Sequence, residues 1–254
     1  MTGVLATNEI WVCHLGQLPY AEATALQESL RTRRQAGELP DLLLLLEHPP
    51  TYTRGRRSGA QELPFPEDFY AAKGIELHDT DRGGRITYHG PGQLVGYPIM
   101  GVEDVIVHVR TIERAIVIAL AETGIHAHAR TQDGPDYTGV WVEGERKIAS
   151  IGVHVSRGVS THGFAVNVEN DMEPFSWVVA CGLPDVRMTS IALETDRTGD
   201  SLDCFRQRMA HAFCRTHDRR QRLVTPGRLG IAGAQPNSGA RRAEPLEKIA
   251  AVHA

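Results

Sequence analysis

Two side chains stand out for the chemistry they could do together. Cys181 closes the apolar run FSWVVA and is followed by Gly182. A thiol at the end of an apolar segment, beside a residue with no side chain, is reachable, and its thiolate is a strong nucleophile. Cys204 and Cys214 fall on one helical stretch and read as packing residues. Lys147 opens KIASIGVHVS, where alternation puts it in line with Ala149, Ile151, Val153 and Val155. A lysine turned inward loses hydration, which disfavours its charged form. It could equally snorkel to water from the strand start, or be turned over by a bulge, and the pattern alone favours snorkelling.

The stretch RGGRITYHGPGQL, residues 82–94, gathers Gly83, Gly84, Gly90 and Gly92 with Pro91 around Arg85, Tyr88 and His89. Glycine costs conformational entropy, so such a cluster marks sharp bends or a close approach to the backbone. Ser150, Gly152 and Gly163 are small residues in mid-strand. They either leave room for a linear apolar ligand above a sheet or mark bulges, and the two readings weigh about equally. His48 precedes Pro49-Pro50 and His89 lies in the glycine loop, each beside a rigid bend that aims a side chain. Either could also be a hydrogen-bonded structural histidine. His126 and His128 lack a third partner at useful spacing, so no metal site is expected. Neither GxxxxGK[ST] nor GxGxxG occurs, which weighs against a nucleotide-dependent reaction.

The elements that must position these groups can be read from periodicity. EIWVCHLG from Glu9 is a strand, Pro19 to Arg34 a helix, and DLLLLLEHPP from Asp41 a buried strand stopped by two prolines. Gly55 to Pro66 reads as loop. Val105, Val109, Ile112, Ile116 and Leu120 repeat at helical spacing over Asp104 to Glu122. Val140 to Val168 has the period of a three-strand meander, with turns near Glu143–Gly144 and Ser156–Gly158. A last helix covers about Ser201 to Cys214. Beyond Thr225 the chain turns Gly-, Pro-, Ala- and Arg-rich, which gives one catalytic domain over 1–224 and a flexible tail over 225–254. Strands and helices mix without a βαβ rhythm. The expected fold class is therefore α/β of the α+β type, a mixed β-sheet flanked by helices.

The 254 residues carry a formal net charge of −4, without the basic excess of a nucleic-acid binder. MTGVLATNEI lacks the features of a secretory signal, and the longest aliphatic run is too short to span a bilayer. Four cysteines with no CxxC pair do not make a disulfide framework or a zinc ribbon. A cytoplasmic monomer without membrane contact is expected.

Four segments in order, EHPPTYTRG, RGGRITYHGPGQLVGYPI, KIASIGVHVSRGVSTHGFAVNV and CGLPDVRMTSI, resemble those of the lipoyl-(octanoyl-)transferases. The resemblance spans roughly Trp11 to Phe213. It implies the mixed-sheet fold of lipoate- and biotin-protein ligases. It also implies transfer of an octanoyl group from acyl carrier protein to a lysine of a lipoyl domain, with no cofactor. The acceptors implied are lipoyl domains of 2-oxoacid dehydrogenase complexes and the glycine cleavage H protein. By the same resemblance Cys181 carries the acyl thioester and Lys147 activates it. The resemblance maps substrate binding onto Arg82, Gly83, Gly84, Arg85, Ile86, Thr87, Tyr88 and His89, onto Ser150, Ile151 and Gly152, and onto Gly163, Phe164 and Ala165; His48, from its place before the two prolines, is a candidate supporting residue. The chain departs from the family at Ala180, Phe164 and Arg54.

Overall fold

The computed structural model describes residues 8–179, 182, 186–195 and 202–231. In chain order the elements are β1 (Glu9–Gln17), α1 (Tyr20–Gln35), β2 (Leu42–Glu47), β3 (Thr51–Arg54), α2 (Glu67–Ala72), β4 (Glu76–Asp79), β5 (Thr87–His89) and β6 (Gln93–Ile99). They continue with α3 (Val105–Ala121), β7 (Ala127–Ala129), β8 (Gly139–Val142), β9 (Arg146–Ser156), β10 (Val159–Asn167), β11 (Arg187–Met188), α4 (Ile191–Glu194), α5 (Leu202–Thr216) and β12 (Arg220–Leu223).

The leucine run of β2 is apolar at every position because helices cover both faces of its sheet. Leu43 and Leu45 join the core beneath α3 and α5, while Leu42, Leu44 and Leu46 join the core beneath α1. That sheet runs β12-β1-β2-β6-β10-β9-β8-β7, with β11 added against β9. It is mixed: β1 pairs in parallel with β2 and β12, while β2, β6, β10, β9 and β8 pair antiparallel in turn. α3 starts where the side chain of Asp104 accepts from the N–H groups of Ile106 and Val107, satisfying donors that have no partner within the helix.

A second sheet, β4-β3-β5, contains the glycine-loop residues Thr87 to His89. It closes a third core of Tyr52, Tyr70, Ile75, Ile86, Tyr88, Phe175 and Val178. Sequence periodicity does not reveal this sheet, because its strands hold only three or four residues each. The expected loop 55–66 also contains a 3-10 turn at Ala60–Glu62.

Residues 225–231 differ from the expected tail. Pro226–Leu229 form a 3-10 turn, and Leu229 is buried against the β1–β2 face. Arg33 donates to the Leu229 carbonyl at 2.6 Å. Residues 232–254 lie outside the described residues. Among the described residues no helix is long and apolar enough to cross a membrane.

Candidate active site

The glycine loop becomes a roof when its short strand alternates. Arg85, Thr87 and His89 face a cavity of about 500 Å³, while Ile86 and Tyr88 turn into the third core. Ile86 still borders the cavity, but Tyr88 does not line it. Its ring packs against Tyr52 and Phe175 instead. The placement of Tyr88 at the cavity is therefore corrected by the two-residue period of a strand. The remaining candidate substrate residues, Arg82 to Thr87, His89, Ser150 to Gly152 and Gly163 to Ala165, line the cavity.

The floor is a stripe of small residues. Ser150 on β9 pairs with Ala165 on β10, which pairs with Val95 on β6. Gly152 pairs with Gly163. The backbone of the loop lies directly on this stripe: Gly83 N–H donates to the Val153 carbonyl at 3.0 Å. A Cβ at Gly152 would stand 2.5 Å from the Gly83 carbonyl oxygen. Gly152 is thus required by close approach, not by a bulge. Gly152→Ala should lift the loop and lower kcat/KM by about 10²-fold, the cost of displacing a binding wall by about an ångström. Steady-state kinetics with a matched melting curve will check this.

Lys147 reaches the cavity because β9 carries a bulge. Val140 pairs with Ala149, but Trp141 pairs with Lys147, so Ile148 is the extra residue. The bulge moves Lys147 from the Ala149–Ile151 face onto the face of Ser150 and Gly152. Both the assumed register and the snorkelling alternative fail: Lys147 is only 2% exposed. Its ammonium lies 5.2 Å from the centre of the buried Trp141 ring. The stem crosses β8 at Gly139, where a Cβ would stand 2.7 Å from Lys147 Cε. Gly139 has φ +135 and donates its N–H to buried Glu113 of α3 at 3.0 Å. No side chain but hydrogen permits both that backbone and that crossing lysine.

Arg82 and Arg85 anchor the roof at two points. The Arg82 guanidinium is buried and donates to the Thr53 carbonyl at 2.6 Å and to Thr53 Oγ1 at 2.8 Å. Arg85 donates to buried Glu62 at 2.8 Å and pairs with Asp136 at 3.3 Å. Glu62 also accepts from the N–H groups of Ile86 and Gly59. Glu62→Ala strips a charged acceptor from three donors and should cost about 2–3 kcal/mol of stability, measurable by urea unfolding.

A cluster of rings closes the inner end. His48 is fully buried: its Nδ1–H donates to the Leu18 carbonyl and its Nε2 accepts from the Tyr97 hydroxyl, both at 2.6 Å. His48 does not line the cavity but braces Tyr97, which does. His89 Nδ1–H donates to Gln93 Oε1 at 2.8 Å. His162 Nε2–H donates to Asp81 at 2.7 Å. Burial pushes His48 and His108 down to about 4 and His89 well below its ordinary value. Between pH 7 and 5 the unfolded chain protonates these imidazoles while the folded chain does not. Stability is therefore complete above about pH 6.5 and falls as pH drops toward 4. For His48 alone the loss at pH 5 is about 2 kcal/mol, and urea titrations at the two pH values will measure it.

Cys181 lies outside the described residues. Its neighbour Gly182 has φ +68, and a Cβ there would collide with Arg85 Cδ. The Gly182 N–H donates to the Val179 carbonyl at 3.1 Å, so this amide is engaged rather than open to an oxyanion.

Sequence reading missed Tyr20, Tyr97, His162 and Gly139. Tyr20 and Tyr97 look like ordinary core aromatics until topology stacks α1 over β6. Gly139 carries no signal except as a strand glycine. The outer mouth of the cavity adds Val105, Ile106, Val109 and Arg110 from the start of α3.

The profile of the lipoyl protein ligase A/B catalytic domain matches residues 19–214. A protein of Solibacter usitatus named octanoyltransferase is 44% identical over 210 residues, covering 80% of this chain and 91% of its own. A Mycobacterium tuberculosis H37Rv protein of the same name is 43% identical over 225 residues, covering 86% and 92%. The putative lipoate protein ligase Ta0514 of T. acidophilum shares the fold, with TM-score 0.67, 21% identity and coverage of 85% and 88%. The chain belongs to the lipoyl protein ligase A/B catalytic-domain family, and within it to the octanoyltransferases.

Proposed function

We propose that this protein transfers an octanoyl group from octanoyl-acyl carrier protein to a lysine of lipoyl domains, through a thioester on Cys181. The observation that carries this reading is Lys147, buried beside an acyl-sized slot whose roof residue Arg85 abuts Gly182. A buried amine at the slot serves two purposes. As an ammonium it stabilises a neighbouring thiolate, and as an amine it accepts a proton.

In the first step the Cys181 sulfur attacks the donor thioester carbonyl. A new C–S bond forms, the bond to the carrier sulfur breaks, and the proton that Lys147 took from the Cys181 thiol passes to the carrier sulfur, so that the carrier leaves as its thiol and Lys147 is again a neutral amine. In the second step the acceptor lysine amine attacks the acyl-enzyme, Lys147 takes its proton, and Cys181 leaves. Thioester exchange is nearly balanced, and amide formation makes the sequence downhill without nucleotide. The small-residue floor and the glycine roof hold the chain between them. The acceptor domains are those of 2-oxoacid dehydrogenase complexes and the glycine cleavage H protein, and the enzyme acts as a cytoplasmic monomer.

The test mixes the protein, octanoyl-acyl carrier protein and a lipoyl domain without ATP and reads the intact mass of the acceptor. Addition of one octanoyl group supports the reading. Transfer that appears only with free octanoate and ATP overturns it in favour of an adenylating ligase.

A further inference from the structure

Resting on the acyl-transfer reading above, we propose that Tyr97 is the end stop of the acyl slot and sets the chain length it accepts. The roof gives the slot a direction. Arg85 abuts Gly182 at the reacting end, and four residues on His89 joins the ring cluster, its ring 5.5 Å from His48 and 6.0 Å from Tyr20. Only Thr87–His89 are strand, so these four residues span at most about 13 Å. The floor runs the same way. From Lys147 over Gly139 the stripe crosses Ser150, Ala165 and Val95, and Tyr97 stands two residues beyond Val95 on the same face of β6. An extended eight-carbon chain, at about 3.5 Å per three bonds, spans about 8–9 Å. Once the rings at the inner end have taken their share of the 13 Å, the remaining length suits eight carbons and excludes a much longer chain.

Nothing large lies on the floor between the lysine and the tyrosine, so a chain meets its first bulky obstacle at the ring. That ring cannot swing away cheaply. Its hydroxyl is pinned to His48, and His48 in turn to the Leu18 carbonyl, both buried. The His162 ring stands edge-on at 6.4 Å. The outer mouth offers no comparable stop, since Val105 and Ile106 are 45% and 68% exposed.

The experiment measures transfer from octanoyl- and dodecanoyl-acyl carrier protein in the same reaction and takes their ratio. A ratio within one sample does not depend on the fraction of a variant that folds. Tyr97→Ala should raise the dodecanoyl-to-octanoyl ratio more than fivefold, and a rise of fivefold or less overturns the proposal. Tyr97→Phe keeps the ring and loses the hydrogen bond, so its ratio should stay within twofold of wild type. A phenylalanine variant that matches the alanine variant overturns the proposal as well. Wild-type protein that transfers no octanoyl group defeats the underlying reading, whereas wild-type transfer with an unchanged Tyr97→Ala ratio defeats the end stop alone.

Discussion

Cys181→Ser is expected to lower octanoyl transfer by about 10⁴-fold or more, the scale seen when a covalent nucleophile is lost. The serine hydroxyl is nearly isosteric with the thiol, so binding should persist while chemistry stops. A hydroxyl is far less acidic than a thiol, whose ordinary value near 8.5 already leaves only a few per cent as thiolate at pH 7. An ammonium that suffices to stabilise a sulfur anion therefore leaves the alcohol protonated. Intact-mass spectrometry after mixing with octanoyl-acyl carrier protein reads the step directly. The native protein should gain one octanoyl group that hydroxylamine removes, and the serine variant none. A serine variant that still carries a hydroxylamine-sensitive adduct at native yield would falsify the assignment. Cys13 and Cys214 provide internal controls. Both are buried, and burial pushes their thiols up, to about 11 and about 12, so neither should be acylated.

Lys147→Ala should cost about 10²–10⁴-fold in the transfer step, the usual contribution of a positioned base. The same substitution empties a space between the Trp141 ring and Gly139, so some loss of stability accompanies it. Two further measurements separate chemistry from packing. Lys147→Met keeps the stem over Gly139 without the amine, and it should fold like wild type by circular dichroism yet remain as slow as the alanine variant. A small primary amine added to the alanine variant can enter the vacated space and should restore part of the rate. Full activity in Lys147→Met would reduce the lysine to a packing stem, and the two-step route would lose its base.

The two faces of the main sheet were legible in the chain because their signals are local. A run of leucines between a helix and a double proline, an apolar face at helical spacing, and a meander of period two each report burial within a window of a few residues. The glycine loop was legible as a place of close approach for the same reason. Gly83 and Gly152 confirm the contact, with the loop carbonyl oxygen where a Cβ would be.

What the chain did not disclose depends on groups far apart in sequence. The register of Lys147 hinged on one extra residue in β9, and a bulge costs so little that composition does not mark it. The side to which Tyr88 turns depended on β3 arriving to pair with it, residues 36 positions away. The ring cluster at the inner end unites residues from α1, the β2–β3 turn, β6 and β10. By itself the sequence determined the long strands and helices of the main sheet, the need for close approach at the glycine loop, and which nucleophile and amine are available. Only the tertiary structure decided which face the amine occupies and where the cavity ends, because both are set by pairing between strands, and pairing energies depend on partners that no local window contains.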